Sequence, residues 1–283
     1  PPSTPASPEA LQAAAEREVQ FLTEEREAAR ALVLALDVES ADVLGHASVG
    51  LEPSDVIEVG STAKPFTVAA ALEGGADPDA MFSGEEGTWE RGELRVEDWR
   101  ARESISVRDV IVYSSNIGAA KVAEQAGVGQ IEALFRRLNL DTESAAAWEG
   151  DAGLVRSAHG GRTSLLALAR AYAVIARGGT SLSSERVLSE DTAAFVQGAL
   201  VAAVGPEGTG HQAAAARVPV AGKTGTTRVD GSLRGALFSG FFPADAPKVV
   251  VVVYAEVPDG WGGEHAAPSF ARMANAWADA SAL

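Results

Sequence analysis

The chain begins with a polar stretch and continues with a helical pattern. Residues 1–8, PPSTPASP, show no apolar periodicity and are rich in proline and serine, which predicts a disordered linker. From Leu11 to Leu22, apolar residues recur every three or four positions, and this spacing predicts an amphipathic helix over about residues 9–29. Pro8 suits the first turn of that helix, because proline has no backbone N–H that would need a partner there.

Apolar runs of strand length lie near both ends of the chain. Ala31–Asp37 and Val43–Val49 are separated by a few mostly polar residues, which predicts a β-hairpin. Three further runs come late in the sequence, and the last contains five consecutive valines, as is typical of a strand buried on both faces. These late runs are Val218–Thr227, Gly235–Phe242 and Lys248–Glu256.

Helical patterns dominate the middle of the chain. Residues 73–105 are acidic, contain several glycines and have no sustained period, so we interpret them as loop. A final helix carries Phe270, Met273 and Trp277 on one side. The helical segments of the middle are Lys64–Leu72, most of Ser106–Leu140, and residues 163–177 and 189–204.

This order of elements predicts an α+β sandwich. A mainly antiparallel sheet of about five strands would be built from both chain ends, flanked by helices, and a central all-helical lobe would complete the fold. We expect residues 9–283 to form a single domain. Its sheet lobe would comprise about residues 9–72 and 205–283, and its helical lobe about residues 73–204.

Composition and charge narrow the classes of partner. The 283 residues are 46% hydrophobic, which is enough for a sizeable core, and the net charge of −16 repels phosphate backbones, so we expect no nucleic-acid partner. Residues 1–150 hold 28 acidic and 12 basic side chains, whereas the rest of the chain is balanced. A negatively charged substrate should therefore prefer the C-terminal half.

Several kinds of site are excluded or receive no support. Cysteine is absent, which excludes disulfides, thiolate metal sites and cysteine nucleophiles. The four histidines are too scattered for a recognisable metal motif, and no glycine pattern for a phosphate or dinucleotide is complete, so neither a metal nor a cofactor is predicted. No apolar run approaches the length of a membrane span.

The remaining candidate is a catalytic site with a serine nucleophile, and it begins with a serine and a lysine three residues apart. Pro65 belongs in a first helical turn, so Ser61 lies at the helix N-terminus and Lys64 lies on the same face. A serine nucleophile needs a base, and lysine serves only when neutral, which requires a lowered pKa. Because the Gly-x-Ser-x-Gly elbow is missing, that base would not be histidine. Alone, the tetrapeptide is weak evidence, since it occurs by chance in many chains.

A second polar segment, Ser114-Ser115-Asn116, separates two predicted helices. The first of these follows Ser106-Val107-Arg108-Asp109, which has the pattern of a capping box, and the second stops near Gly127. The triplet could project into a cleft, where Asn116 could bond both Lys64 and a substrate amide. A plain helix-capping turn is the alternative interpretation.

A third segment, Lys223-Thr224-Gly225-Thr226, lies in a predicted strand. Gly222 and Gly225 remove side-chain bulk, so a substrate backbone could lie alongside as an added strand. Lys223 would supply positive charge that lowers the pKa of Lys64 and holds a substrate carboxylate. The backbone N–H groups of Ser61 and Thr226 could form an oxyanion hole.

These three segments, in this order, resemble those of penicillin-binding protein transpeptidase domains, members of the serine β-lactamase and DD-peptidase superfamily. The chain is similar to that family over about residues 31–280. Gly60–Thr67 resembles the nucleophile segment, Tyr113–Lys121 the second motif and Ala221–Thr227 the third. Further similar landmarks are Arg186–Ser189, Gly208–Gly210, Phe238–Phe241 and Gly262–Phe270.

The resemblance implies a DD-transpeptidase that acts on the D-Ala-D-Ala end of peptidoglycan stem peptides. Ser61 would attack the carbonyl, Lys64 would act as base, and Ser114 and Asn116 would relay the proton and orient the substrate. β-Lactam antibiotics would mimic the dipeptide and acylate Ser61. The terminal carboxylate would bind Lys223 and Thr224, with Gly225 and Thr226 beside them.

The resemblance also implies a place in the cell. Family members work outside the cytoplasmic membrane, on its periplasmic or cell-wall side, and are usually tethered by an N-terminal helix that this sequence lacks. Peptidoglycan stem peptides and β-lactams would be the ligands, cell-wall synthases would be possible partners, and no cofactor is implied.

Three alternatives stay open. A DD-carboxypeptidase uses the same residues and differs only in its acyl acceptor. A β-lactamase needs a further base to activate water, and Glu132 and Glu143 flank the segment Phe135–Leu140 without a recognisable motif for that role. A non-catalytic β-lactam or muropeptide sensor, or a scaffold that has kept the fold, is the alternative of another class. The intact motifs argue against a scaffold but not against a sensor that stays acylated.

Overall fold

A computed structural model describes residues 8–281 of the chain. The linker predicted for residues 1–8 lies outside the described residues except for Pro8, which is the first residue of helix α1. The helices are α1 (Pro8–Glu24), α2 (Lys64–Glu73), α3 (Val107–Val112), α4 (Asn116–Ala126), α5 (Val128–Arg137), α6 (Gly150–His159), α7 (Leu165–Ala176), α8 (Glu190–Ala203) and α9 (Ala267–Ala280).

The strands fall into one large sheet and three short pairs. Strands β1, β2, β9, β10 and β11 form the sheet, while β3 pairs with β8, β4 with β7 and β5 with β6. Their bounds are β1 (Arg30–Asp37), β2 (Val43–Val49), β3 (Val56–Glu58), β4 (Met81–Ser83), β5 (Thr88–Arg91), β6 (Leu94–Glu97), β7 (Ser104–Ser106), β8 (Arg162–Ser164), β9 (Ala221–Asp230), β10 (Leu233–Phe242) and β11 (Val249–Pro258).

The large sheet joins the two ends of the chain. Its order is β2-β1-β11-β10-β9 with every neighbouring pair antiparallel, which confirms the predicted fold class. The valine run occupies the central strand β11. Val250 and Val252 face the core beneath the helical lobe, whereas Val251 and Val253 face the core beneath α1 and α9. Because successive strand residues point to opposite faces, an unbroken apolar run suits a strand that is covered on both sides.

Helix α2 connects the sheet to the helical lobe. Its residues from Lys64 to Ala71 are buried, and it packs against helices α3, α4, α5, α6 and α8. A helix that is buried on all sides has apolar residues around its whole circumference and not on one face only. The buried run Val68, Ala69, Ala70 and Ala71 follows this pattern. The residues at its N-terminus are therefore held between the two lobes.

The structure corrects three predictions. The first helix ends at Glu24 and not at residue 29, because Glu27 adopts a positive φ of 55° and the Ala29 N–H already donates to Glu256 of β11. Residues 73–105 are not simply loop. They contain β4, β5, β6 and the start of β7, whose three- and four-residue strands are too short to produce a sustained period. With β8 they also show that the predicted helical lobe, residues 73–204, is not all-helical.

The boundaries of other helices and strands differ from the predicted ones by a few residues. Helix α6 lies in a stretch for which no helix was predicted. Within residues 8–281, no helix combines the length and the apolar character needed to cross a membrane.

Candidate active site

The turn that carries Ser61 is a short 3-10 helix, Gly60–Ala63, which runs directly into α2. Gly60 has φ of +55°, and a Cβ there would lie 2.9 Å from the Thr227 Cγ2 atom of β9, so glycine is required both by conformation and by space. On the other side, a Cβ at Gly160 would overlap the Gly60 carbonyl oxygen. We call Gly60–Ala63 the nucleophile turn. It is packed between the sheet and the helical lobe.

Ser61 and Lys64 are in contact, as their spacing predicted. The Lys64 Nζ atom lies 2.5 Å from Ser61 Oγ and 2.8 Å from Asn116 Oδ1. Lys64 is fully buried, and desolvation by burial lowers the pKa of its amine to about 7, against an opposing influence of the Asp98 carboxylate. The neutral amine can therefore be populated near neutral pH and can accept a proton from the serine hydroxyl.

The second motif is the junction between α3 and α4. Ser106 caps α3 through a capping box with Asp109, as predicted, and α3 ends at Val112 with Tyr113 as its C-cap. Ser114 then adopts a left-handed φ of 60°, and Ser115 caps α4 by accepting from the Gly118 N–H at 2.8 Å. The junction turns the chain so that Asn116, the first residue of α4, reaches Lys64.

Asn116 is held on both ends of its side-chain amide. Its Oδ1 accepts from Lys64, and its Nδ2 donates to the backbone oxygen of Glu97 at 2.7 Å. The prediction that Asn116 bonds Lys64 is confirmed. One of the two amide hydrogens is used by Glu97, which leaves the other for a substrate.

Sequence reasoning missed Asp98. Its carboxylate accepts hydrogen bonds from the Ser115 hydroxyl at 2.6 Å, from the Asn116 N–H at 2.5 Å and from the Ile117 N–H at 3.1 Å. The available signal was weak: an aspartate directly after the alternating segment Leu94–Glu97, inside a region that we interpreted as loop.

The third motif lies on β9, with Lys223 fully buried. Its Nζ donates to the Thr224 carbonyl at 3.0 Å and to Thr224 Oγ1 at 3.3 Å, and Thr224 Oγ1 also lies 3.0 Å from Thr209 Oγ1. Burial, and then the charge of Lys64, hold the pKa of Lys223 well below its usual range. The low pKa of Lys64 is caused by burial, and the predicted contribution of Lys223 to it stays a prediction.

β9 lies close to the nucleophile turn and at an edge of the sheet. A Cβ at Gly225 would lie 2.9 Å from both Thr62 Cγ2 and the Val59 carbonyl oxygen, so the glycine permits this approach. Thr226 accepts a hydrogen bond from the Gly262 N–H at 3.2 Å, in a segment that resembled a family landmark. Because β9 has a neighbour on one side only, its outer backbone groups can pair with an added strand.

Metal chemistry finds no support in this arrangement. Within residues 8–281, the histidine, aspartate and glutamate side chains nowhere come together in a group of three that could hold an ion. The Lys64 amine contacts Ser61 and also bonds the Asn116 amide, and a serine paired with a buried amine suits acyl transfer.

Comparison with known proteins identifies the family. The family described as "Penicillin binding protein transpeptidase domain" matches residues 32–275, which is most of the chain. The chain belongs to this family. The resemblance noted from the three motifs is thereby confirmed.

Relatives and solved structures of penicillin-binding proteins agree with that assignment. The probable peptidoglycan D,D-transpeptidase PenA of Neisseria gonorrhoeae is 28% identical over 93% of the chain. A crystal structure of a peptidoglycan glycosyltransferase from Burkholderia ambifaria superposes with a TM-score of 0.87 at 26% identity and covers 94% of each chain. The apo transpeptidase domain of Burkholderia pseudomallei penicillin-binding protein 3 gives a TM-score of 0.84 at 26% identity, over 94% of this chain and 92% of its own. The chain spans about half the length of PenA, 54%.

Proposed function

We propose that this penicillin-binding protein domain is a DD-transpeptidase of peptidoglycan stem peptides that works through an acyl-enzyme on Ser61 and is acylated there by β-lactams. The observation that carries the proposal is the 2.5 Å contact between Ser61 Oγ and the buried Lys64 amine, whose pKa of about 7 suits a general base. The name of the PenA relative, a probable peptidoglycan D,D-transpeptidase, supports the same substrate class.

In the acylation step, neutral Lys64 takes the hydroxyl proton of Ser61 while Oγ bonds to the carbonyl carbon of the penultimate D-alanine. The peptide C–N bond then breaks, and the leaving D-alanine amine takes up the proton, relayed through the Ser114 hydroxyl, while Asn116 orients the substrate. The carbonyl oxygen carries negative charge in between, and the N–H groups of Ser61 and Thr226 are our candidates for its donors.

In the second step, an acceptor amine from another stem peptide replaces the lost D-alanine. Lys64 again takes a proton, now from the attacking amine. The ester bond to Ser61 breaks as the new peptide bond forms, and Lys64 returns the proton to Ser61 Oγ. A water molecule as acceptor would give a carboxypeptidase instead, so the same residues serve both reactions. The acceptor decides between them.

The substrate would lie along β9. Its terminal carboxylate would meet Lys223, whose ammonium form that negative charge would favour, and the hydroxyl groups of Thr224 and Thr226, while Gly225 leaves room for its backbone. Because the proposed substrate is peptidoglycan, we place the domain outside the cytoplasmic membrane. We also propose that it is tethered to that membrane and works with cell-wall synthases.

The test is covalent labelling followed by a peptide assay. The protein is incubated with a fluorescent penicillin, its intact mass is followed over hours, and the labelled peptide is sequenced. We expect a stable adduct on Ser61 that Ser61→Ala abolishes while the circular dichroism spectrum is unchanged. Persistent labelling of Ser61→Ala would place the nucleophile elsewhere, and an adduct that vanishes within seconds would indicate a β-lactamase.

The peptide assay then separates the remaining alternatives. A stem peptide ending in D-Ala-D-Ala is supplied with and without an acceptor stem peptide that carries a free amine. A cross-linked product supports the transpeptidase, release of D-alanine without cross-linking indicates a carboxypeptidase, and no turnover by a protein that still binds penicillin indicates a sensor.

A further inference from the structure

Thr209 lies on the short segment Gly208–Gly210, which follows α8 and precedes the third motif in the sequence. A Cβ at Gly208 would lie 2.1 Å from the Ala203 carbonyl oxygen, so this glycine lets the segment fold back closely against the end of α8. The Thr209 N–H donates to the carbonyl oxygen of Val112, the last residue of α3, at 3.2 Å. The backbone of Thr209 is therefore tied to the helix that leads into the second motif.

The side chain of Thr209 reaches the third motif. Its Oγ1 atom lies 3.0 Å from Oγ1 of the buried Thr224, and that oxygen also accepts from the Lys223 amine at 3.3 Å. Among the described residues, Thr224 is the only hydrogen-bond partner of the Thr209 hydroxyl. One residue thus contacts α3 through its backbone and the third motif through its side chain.

The protons of this hydroxyl pair decide what Thr224 can offer a ligand. Each hydroxyl group has one proton to donate and two lone pairs that accept. Because the Thr224 oxygen already accepts from Lys223, it can accept once more from Thr209 and still donate its own proton. If Thr224 donated to Thr209 instead, it would have no proton left for a carboxylate.

We propose that Thr209 is a positioning residue for carboxylate recognition: its hydroxyl donates to Thr224, which directs the Thr224 proton to the carboxylate of the donor peptide or of a β-lactam. The proposal rests on the proposed function, which places that carboxylate beside Lys223 and Thr224. A chain of hydrogen bonds that ends on an anion is favourable, because each bond polarises the next and charged acceptors form the stronger bonds. Thr209 acts through Thr224 and not by contact with the ligand.

Three variants isolate the Thr209 hydroxyl. Thr209→Val keeps the branched shape of the side chain and the backbone bond to Val112 but removes the hydroxyl, and Thr209→Ser restores it. Thr192→Val is the matched control, because the buried Thr192 belongs to another hydroxyl pair, at the start of α8. Its Oγ1 atom accepts from Ser189 Oγ at 2.9 Å.

The experiment measures the second-order rate constant of Ser61 acylation by a fluorescent penicillin that has a free carboxylate, and by the methyl ester of the same compound. For Thr209→Val, we expect the constant for the acid to fall about tenfold and the constant for the ester to stay within about twofold of wild type. Thr209→Ser should recover most of the loss, and Thr192→Val should match the wild type with both ligands.

Equal losses with the acid and the ester would show that Thr209 supports only the fold of the site, and no loss with the acid would equally overturn the proposal. A double variant decides where the ester reacts too slowly to follow. Once Thr224→Val has removed the second hydroxyl, Thr209→Val should have no further effect on the acid, and an undiminished effect would contradict the coupling.

Thermal melts identify a variant that fails to fold, and Thr209→Ala then replaces Thr209→Val with the same expected ratio between acid and ester. If the wild type itself is not acylated on Ser61, the proposed function fails. If it is acylated and Thr209→Val behaves like Thr192→Val, only the role of Thr209 fails.

Discussion

At the scale of the residue, two fully buried lysines determine the chemistry of the site. Lys64 and Lys223 both lack solvent contact, and desolvation lowers the pKa of each. Burying a charged amine is costly, so such groups tend to become neutral instead. An ordinary lysine would be a poor base at pH 7, and burial is what makes Lys64 suitable as the proposed base.

The first prediction concerns pH. Because only the neutral amine accepts a proton and the pKa of Lys64 is about 7, the acylation rate should rise with pH through a midpoint near 7 and then level off. Stopped-flow acylation by a fluorescent penicillin between pH 5.5 and 9 measures this. Lys64→Met, which keeps the length of the chain and loses the base, should lower the rate about 100-fold or more at every pH. A rate that is flat with pH would show that Lys64 does not act as base.

At the scale of the element, the nucleophile turn depends on α7. The turn has no side-chain cap at its start, but the fully buried Tyr172 of α7 donates its hydroxyl proton to the Thr62 carbonyl at 2.8 Å. The Tyr172 ring also meets Phe66 of α2 edge to face at 5.4 Å. Tyr172 thus ties the residue after the nucleophile to the core of the helical lobe.

We therefore expect Tyr172→Phe to impair catalysis beyond its effect on stability. The ring packing remains, the lost hydrogen bond costs about 1 kcal/mol of unfolding free energy, and a looser Ser61 should lower the limiting acylation rate about threefold to tenfold. The dissociation constant of the complex that precedes the covalent step should stay the same.

Thr67→Val provides the matched control for that experiment. The Thr67 hydroxyl makes one buried hydrogen bond, to the Ser157 carbonyl at 2.9 Å, farther along the same helix α2. We expect a similar loss of stability and an unchanged acylation rate. Equal rate losses in both variants would mean that Tyr172 contributes only to the stability of α2.

At the scale of the whole molecule, the two edge strands of the sheet differ in the hydrogen bonding of their outer backbone groups. No strand pairs with the outer side of β9 among the described residues. On β2, at the other edge, one outward-facing backbone position is hydrogen-bonded by a side chain of the same molecule. The Gln12 side chain of α1 donates to the His46 carbonyl at 2.9 Å and accepts from the His46 N–H at 2.9 Å. This amide takes the place of a neighbouring strand, and blocked edges hinder pairing between molecules.

Removing that amide should make the protein associate. In Gln12→Ala the His46 backbone groups are free to pair with another chain, so sedimentation velocity should show more self-association as concentration rises than in the wild type. Gln20→Ala, on the same helix with bonds only to the exposed Glu24, should behave like the wild type. Identical sedimentation of the two variants would contradict a protective role of Gln12.

How much of this could be predicted from the sequence depends on the distance between contacting residues along the chain. The Ser61–Lys64 contact spans three residues, so helix geometry alone predicts it. The capping box at Ser106 is likewise local. The five strands of the sheet were predicted because each is long enough to show an apolar run, whereas β4 to β7 were missed because they are not.

The predictions for the active site depend partly on local spacing and partly on contacts between residues that are distant in the sequence. The roles assigned to Ser114, Thr224 and the oxyanion hole stay predictions, as does the single-domain boundary at residues 9–283. The bond between Lys64 and Asn116 was predicted only as a possibility, because it spans 52 residues and depends on how α4 meets α2.

The sequence by itself determined the sheet and the family and supplied the predicted nucleophile and base, because these follow from local spacing, run length and motif order. Only the tertiary structure decided how the base is tuned and how the nucleophile is held. Lys64 has a low pKa because packing removes water from it, Asp98 reaches Ser115 across 17 residues, and Tyr172 reaches Thr62 across 110. Burial and long-range contacts arise from the packing of the two lobes, and no local pattern in the sequence encodes them.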